Sequence, residues 1–250
     1  MYQFFVEPDQ INVSDKSVTI LGGDVNHIKN VLRMKAGEEL SVSNGQDGRE
    51  YRCGIRELRE DSVLCEIRFI KEDKVELPVK VYLFQGLPKA DKMELIVKKA
   101  VELGVYQVIP VAAKRCVVKL DDRKASAKTA RWQGIAEAAA KQSKRAIVPE
   151  VTEVMSFRQA VEKAAAMKVK VIPYELAENM DATRELFDSL KPQGDVAVFI
   201  GPEGGFDESE IALAVENGIE PVTLGRRILR TETAGMTVLS WIVYRLEGRE

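Results

Sequence analysis

The sequence predicts a small β-rich domain followed by an α/β domain built on a mostly parallel sheet. Two observations carry this prediction. Over the first seventy residues, short apolar stretches are cut by Gly22-Gly23, Asn44-Gly45 and Asp47-Gly48, and Asn-Gly and Asp-Gly pairs favour turns because they tolerate positive φ. After Pro78, apolar strands alternate with helical stretches, the pattern of a parallel sheet covered on both faces. A chain of 250 residues accommodates both domains.

In order, strands are expected over 4–6, 17–21, 39–44, 50–57 and 62–70, with one helix over 25–34, and together they suggest a small barrel. The charged stretch 72–78 reads as a linker, which places the domains at 1–71 and 79–250. A strand over 79–84 leads to a helix over 91–103. That helix has Asp91 and Glu94 spaced as a capping box, Met93, Ile96, Val97, Ala100 and Val101 on one face, and Gly104 as its stop. Then come a strand over 108–112, helices over 125–142 and 157–167, and a strand over 170–173. The last third reads as strand 195–200, helix 208–217, strand 220–224 and helix 231–246. The final helix is apolar on almost every side, as suits a core helix or one at a subunit interface.

Composition narrows the function. The charges nearly cancel, 37 Lys+Arg against 39 Asp+Glu, so a globally basic nucleic-acid coat is excluded. No apolar run approaches the length of a membrane span, and the acidic start lacks a signal-peptide n-region. Three scattered cysteines form neither a disulfide framework nor a zinc motif, which points to a reducing cytoplasm. A single histidine, His27, rules out a His-rich metal site and reads as a packing or hydrogen-bonding residue at the start of a helix. Charge is nevertheless uneven: residues 113–145 hold ten Lys/Arg and three acids, a local +7 that suggests a nucleic-acid contact.

Ligands in open α/β sheets gather at the carboxyl ends of strands, and three such ends stand out. The first carries Tyr174 and Glu175. The second is Ile200, Gly201, Pro202, Glu203, Gly204 and Gly205, which is neither a GxGxxG nor a P-loop pattern. It reads as a backbone cradle or as a strand-to-helix turn that needs glycine. Glu203 would repel a pyrophosphate, so an adenosine carrying a sulfonium fits better. The third end, Leu224, Gly225, Arg226, Arg227, Ile228, Leu229 and Arg230, runs into Thr231, Glu232, Thr233 and Ala234. Thr231 and Glu232 suit the start of the last helix. The arginines are either a solvated cluster or a contact for phosphate and base edges.

These motifs resemble those of the bacterial 16S ribosomal RNA (uridine-N3) methyltransferases of the SPOUT superfamily. The resemblance rests on His27-Ile-Lys-Asn-Val-Leu-Arg-Met34, Asp91-Lys-Met-Glu-Leu-Ile-Val-Lys-Lys-Ala-Val-Glu-Leu-Gly104, Arg131-Trp132, Glu137-Ala-Ala139 and Gln142-Ser-Lys-Arg145. Its most specific parts are Ile200-Gly-Pro-Glu-Gly-Gly205 and Leu224-Gly-Arg-Arg-Ile-Leu-Arg-Thr-Glu-Thr233. It implies an N-terminal PUA-like RNA-binding barrel, a C-terminal domain with a trefoil knot, and a homodimer with its last helix at the interface. It implies S-adenosylmethionine as cofactor, 16S ribosomal RNA or the small ribosomal subunit as partner, and no metal.

The cofactor would lie against Tyr174, Glu175, the segments 200–205 and 224–225, Ile228, Leu229, Thr233 and Ala234. Arg230, then Arg227, would stabilise the uracil anion, while Glu232 would accept the proton, orient Arg230 or cap the helix. Arg33, Lys114, Arg115, Lys141, Lys144, Arg145 and Arg226 would contact RNA. One departure is Gln3, where family members often carry an arginine. Two rivals remain at this point, an RNA-binding assembly factor without cofactor and an α/β enzyme acting on a small nucleotide. The glycine loop disfavours the first, and the small β-domain and the +7 segment disfavour the second.

Overall fold

A computed structural model describes residues 1–72 and 75–248, so Asp73 and Lys74 of the expected linker lie outside the described residues. Two compact units emerge. One comprises Met1–Glu76 with Ala140–Val148, the other Leu77–Ala139 with Pro149–Glu250.

The first unit holds β1 (Gln3–Phe5), β2 (Ile11–Asn12), β3 (Ser17–Leu21), α1 (Gly23–Asn26), β4 (Glu39–Ser43), β5 (Glu50–Leu58) and β6 (Ser62–Lys71). They form one sheet in the order β1-β4-β5-β6-β3-β2, antiparallel except for the parallel β1–β4 pair. Alternate residues face one core, among them Val18 and Ile20, Leu40 and Val42, and Val63, Cys65 and Ile67. Irregularities between Arg52 and Cys53 and between Ile55 and Glu57 interrupt the long β5–β6 ladder, and bulges of this kind bend a sheet around its core. Gly45 and Gly48 have φ of +70° and +71°, and Asn44 Oδ1 accepts from the backbone N–H groups of Gln46 and Asp47, as the turn signals require.

The helix expected over 25–34 is shorter and less regular than its apolar spacing suggests. After α1 the backbone widens into a π-type turn at His27–Val31, where Leu32 N–H donates to His27 O, and Arg33 at φ +53° ends it. His27 is exposed and meets Phe4 edge-on at 6.1 Å, consistent with its packing role.

Ala140–Val148, placed in the second domain by the sequence reading, belongs to the first unit through polar ties. Ser43 Oγ donates to Ala146 O at 2.9 Å, and Gln3 Nε2 donates to Arg145 O at 2.9 Å. Gln3 thus has a structural task of its own. The Arg145 guanidinium, 4% exposed, pairs with Glu76, whose Oε1 also accepts from Ala146 N at 3.0 Å and Ile147 N at 3.3 Å.

The second unit holds β7 (Lys80–Gly86), α2 (Lys92–Glu102), β8 (Gln107–Ala112), most of α3 (Asp122–Ser143), β9 (Glu150–Val151), β10 (Met155–Ser156) and α4 (Phe157–Ala164). It continues with β11 (Val169–Pro173), α5 (Met180–Asp188), β12 (Asp195–Ile200), α6 (Glu208–Glu216), β13 (Glu220–Val222) and α7 (Thr231–Leu246). Its wholly parallel sheet runs β10-β8-β7-β12-β11-β13, with β9 beside β8. Phe84 and Phe199 stack at 4.3 Å between the central strands β7 and β12. Successive strands leave β7 on one side through β8 and return on the other, so the β7–β12 boundary is the switch point where a crevice opens.

Two local expectations are corrected here. Asp91 makes no side-chain cap on α2, because Ala90 at φ +53° gives the entry a different course. Glu94 instead pairs with Arg131 at 2.7 Å. Gly104 at φ +84° does end that helix, and a Cβ there would meet Leu77 Cδ1 at 2.8 Å. Helix α5 was not anticipated, although Asn179 caps it through Ala182 N and Thr183 and Phe187 are buried on one face.

Candidate active site

Three loops at the carboxyl edge of the sheet, following β11, β12 and β13, surround a cleft of about 1140 Å³. Glycine lets them approach. A Cβ on Gly86, at the end of β7, would lie 2.6 Å from Pro202 Cδ, and one on Gly201 would lie 3.1 Å from the backbone of Gly205. Gly225 has φ +99°, which carries the third loop away from β13.

The loops are tied at one point by Thr231. Its hydroxyl donates to Gly201 O at 2.6 Å and accepts from Gln85 Nε2 at 2.8 Å. Thr231 therefore does not cap α7. Arg230 occupies the cap position without a side-chain bond, and the Thr231 hydroxyl joins β7, the glycine loop and α7 instead. Thr231→Val keeps the shape but strands Gly201 O and leaves the Gln85 amide, whose Oε1 already lacks a partner among the described residues, with one bond fewer. A loss of about 1–3 kcal/mol is expected, measured by denaturant unfolding.

All three strand ends meet on this cleft. Tyr174, Glu175, Ile200, all of 201–205, Leu224, Gly225, Arg226, Arg227, Ile228, Leu229, Arg230 and Ala234 line it. Ile228 is 89% exposed, so it stands at the mouth rather than forming the wall. Glu232 and Thr233 are not on the lining: Glu232 turns toward Lys92, and Thr233 toward solvent. Residues the sequence reading missed include Lys92, Met180, Arg184 and Thr223. The Asn179 cap and the apolar spacing after it were the available signal for the α5 residues. Nothing local marks Lys92.

The electrostatics correct one sequence argument. Glu203 does not stand as a bare charge in the loop, for its Oε1 accepts from Lys92 Nζ at 2.9 Å and from Lys89 N at 3.1 Å. Partial burial pushes its carboxyl up, but the bonds from Lys92 and the backbone outweigh this and hold it below the usual carboxylate range. Its charge is compensated, so it is no barrier to a phosphate. A second strap fixes the same loop: buried Glu210 accepts from Lys114 N at 2.8 Å and Asp207 N at 2.9 Å, and Arg115 donates to Gly204 O at 3.3 Å.

The +7 segment is largely spent on internal pairs. Arg145 pairs with Glu76, Lys141 with Asp24 at 3.4 Å, Arg131 with Glu94, and Lys114 and Arg115 with Asp207 at 3.7 Å each. Arg145 as an RNA contact is thereby overturned, since its guanidinium is buried on an acid. Half-buried Lys141 is committed in the same way. Arg33 and Lys144 are exposed. Around the cleft the balance is reversed. Arg226, Arg227 and Arg230 are exposed and have no acid partner among the described residues.

Comparison with known proteins agrees with this geometry. A family model described as an RNA methyltransferase domain matches residues 75–243, and one described as an RNA methyltransferase PUA domain matches residues 20–68. The ribosomal RNA small subunit methyltransferase E of Bacillus subtilis is 39% identical, covering 99% of this chain and 98% of the relative. The protein of that name from Synechocystis is 30% identical over 99% of this chain and 78% of its own length. A crystal structure of the Neisseria gonorrhoeae ribosomal RNA small subunit methyltransferase E bound to S-adenosyl methionine superposes with a TM-score of 0.83 at 30% identity, covering 98% and 97% of the two chains. A putative methyltransferase from Legionella pneumophila, also with bound cofactor, gives 0.80 at 31% identity over 97% and 96%. Fold, site and relatives converge: the chain belongs to the RNA methyltransferase family, in the group of ribosomal RNA small subunit methyltransferase E proteins.

Proposed function

We propose that this chain transfers a methyl group from S-adenosylmethionine to N3 of a uridine in 16S ribosomal RNA, as free RNA or within the small subunit. The observation that carries the reading is the cleft itself, with glycine backbone and apolar Ile200, Leu224 and Leu229 on its walls and three unpaired arginines at one side. A cofactor with an adenine, a cationic sulfonium and an amino acid end fits this lining, which includes the carboxylates of Glu175 and Glu178.

When bound, the cofactor supplies an electrophilic methyl carbon. The residues of the chain do the rest. The backbone of 200–205 and 224–225 holds and orients the ligand, with Tyr174, Glu175, Ile228, Leu229 and Ala234 around it. Uracil N3 becomes nucleophilic when its proton leaves, and the negative charge then spreads onto O2 and O4. Arg230, seconded by Arg227, stabilises that anion more than the neutral base. Glu232, set back from the cleft, orients Lys92. Since N3 lies on the Watson–Crick edge, the base must be splayed out, with Arg226, Lys114, Arg115, Arg33 and Lys144 contacting phosphates.

The knotted connection belongs to the same reading, supported by the close passage of Gly86 by Pro202 and the tie from Thr231 to Gly201. So does a homodimer with α7 at its interface. Val238, Leu239, Ile242 and Leu246 of α7 are buried within the unit, while Tyr244 is 86% exposed and Leu95 of the neighbouring α2 is 43% exposed. The reaction requires no metal and suits a cytoplasmic setting. Among the described residues no helix is long and apolar enough to cross a membrane.

The test is twofold. Calorimetry should show S-adenosylmethionine binding, and nucleoside mass spectrometry should find N3-methyluridine in small-subunit RNA incubated with enzyme and cofactor. Binding of ATP or NAD in place of S-adenosylmethionine would overturn the proposal.

A further inference from the structure

We propose that Lys92 is a further catalytic residue, whose ammonium donates a hydrogen bond to a carbonyl oxygen of the target uracil as N3 loses its proton. This rests on the reaction proposed above. Lys92 is on the cleft wall, between the glycine loop and the start of α7. It is the first residue of α2, where the helix dipole disfavours a cation. Two carboxylates offset that placement, Glu203 at 2.9 Å from the glycine loop and Glu232 at 3.6 Å from the first turn of α7.

An ammonium has three donors, and among the described residues Glu203 accepts the one hydrogen bond that Lys92 makes. The Glu232 oxygen facing it is shut off from solvent and has no hydrogen-bond partner. With one donor given to Glu203 and a second directed toward Glu232, one remains for a ligand, on a side chain whose position is held from two sides. The other charged group facing Lys92 is Arg230 at the cap of α7. The hydrogen bond with Glu203, with the charge of Glu203 and Glu232 behind it, raises the Lys92 pKa, so it remains a cation and does not serve as the base.

The step balances as follows. The N3–H proton passes to solvent, the N3 electron pair forms the new N–CH3 bond, and the S–CH3 bond breaks with its electrons going to sulfur, which becomes a neutral thioether. Lys92 and Arg230 together face the charge on the uracil oxygens, while Glu203 and Glu232 position Lys92.

Lys92→Met and Lys92→Arg test this by single-turnover methylation across pH, with calorimetric cofactor affinity measured alongside. Lys92→Met should slow the step about 100-fold near neutrality, with a deficit that shrinks as pH rises and the uracil ionises without help. Cofactor affinity should stay within about threefold, and Lys92→Arg should recover at least about tenfold of the loss. A deficit constant with pH, or one abolished by saturating cofactor, would make Lys92 an anchor of the glycine loop and overturn the role. Normal rates for Lys92→Met would overturn it too, while wild-type enzyme that makes no N3-methyluridine would overturn the reaction itself.

Discussion

Arg230→Ala is expected to lower the single-turnover rate of methylation by about 10²- to 10³-fold while leaving S-adenosylmethionine affinity within a few-fold. The reasoning starts from what Arg230 does not do. It occupies the cap of α7 but makes no side-chain capping bond, and no acid pairs with it among the described residues. An arginine released from structural duty at the edge of a cleft is available to a developing anion, and a donor aimed at such charge contributes mainly in the transition state. Folding should be little affected, because the α7 start is held by the Thr231 hydroxyl and not by the guanidinium. Arg227→Ala should cost less, about tenfold, since it is further from that tie. Normal turnover by Arg230→Ala would shift the assignment to its neighbours.

The second large effect is on stability. Arg145→Ala should destabilise the first unit by about 3 kcal/mol, the lower end for breaking a buried pair, because Glu76 retains 24% exposure and two backbone donors. Thermal unfolding should show it as a fall of several degrees in Tm. The salt dependence of RNA binding should keep its slope, because a buried guanidinium releases no counterion. A slope reduced by about one with stability intact would restore Arg145 as a phosphate contact. Reversing the charge of Lys144, which is exposed, should reduce that slope.

The contrast between these two arginines shows what a sequence can convey. The glycine loop at 201–205 and the arginine-rich run at 225–230 are legible because their chemistry is local: glycines where backbones must pass closely, and a strand end on either side. Strands 17–21 and 195–200 and helix 231–246 match the observed bounds, since burial on one or both faces writes a clear period. Charge is different. The +7 of 113–145 is accurate as a count, yet its neutralising acids, Asp24, Glu76, Glu94 and Asp207, come from distant segments. No window along the chain contains that pairing. Lys92 escaped notice for the same reason, since both of its carboxylates are more than a hundred residues away. Asp91 misled in the opposite direction, because a capping box is only as good as the backbone that enters it, and Ala90 enters with positive φ.

The Thr231 hydroxyl joins residues 85, 201 and 231, and Gln3 reaches Arg145 across 142 positions. Read along the time axis of synthesis, these bonds impose an order. The first unit cannot close its polar seam until residue 148 has left the ribosome, well after β7 and β8 have been made. The cleft stays unfinished until residue 231 emerges, because the bonds that tie its loops wait for Thr231. At translation speeds of about 5–20 residues per second, the nascent chain spends several seconds or more with its strand ends open. The cleft of this RNA methyltransferase thus forms only after residue 231 has been made.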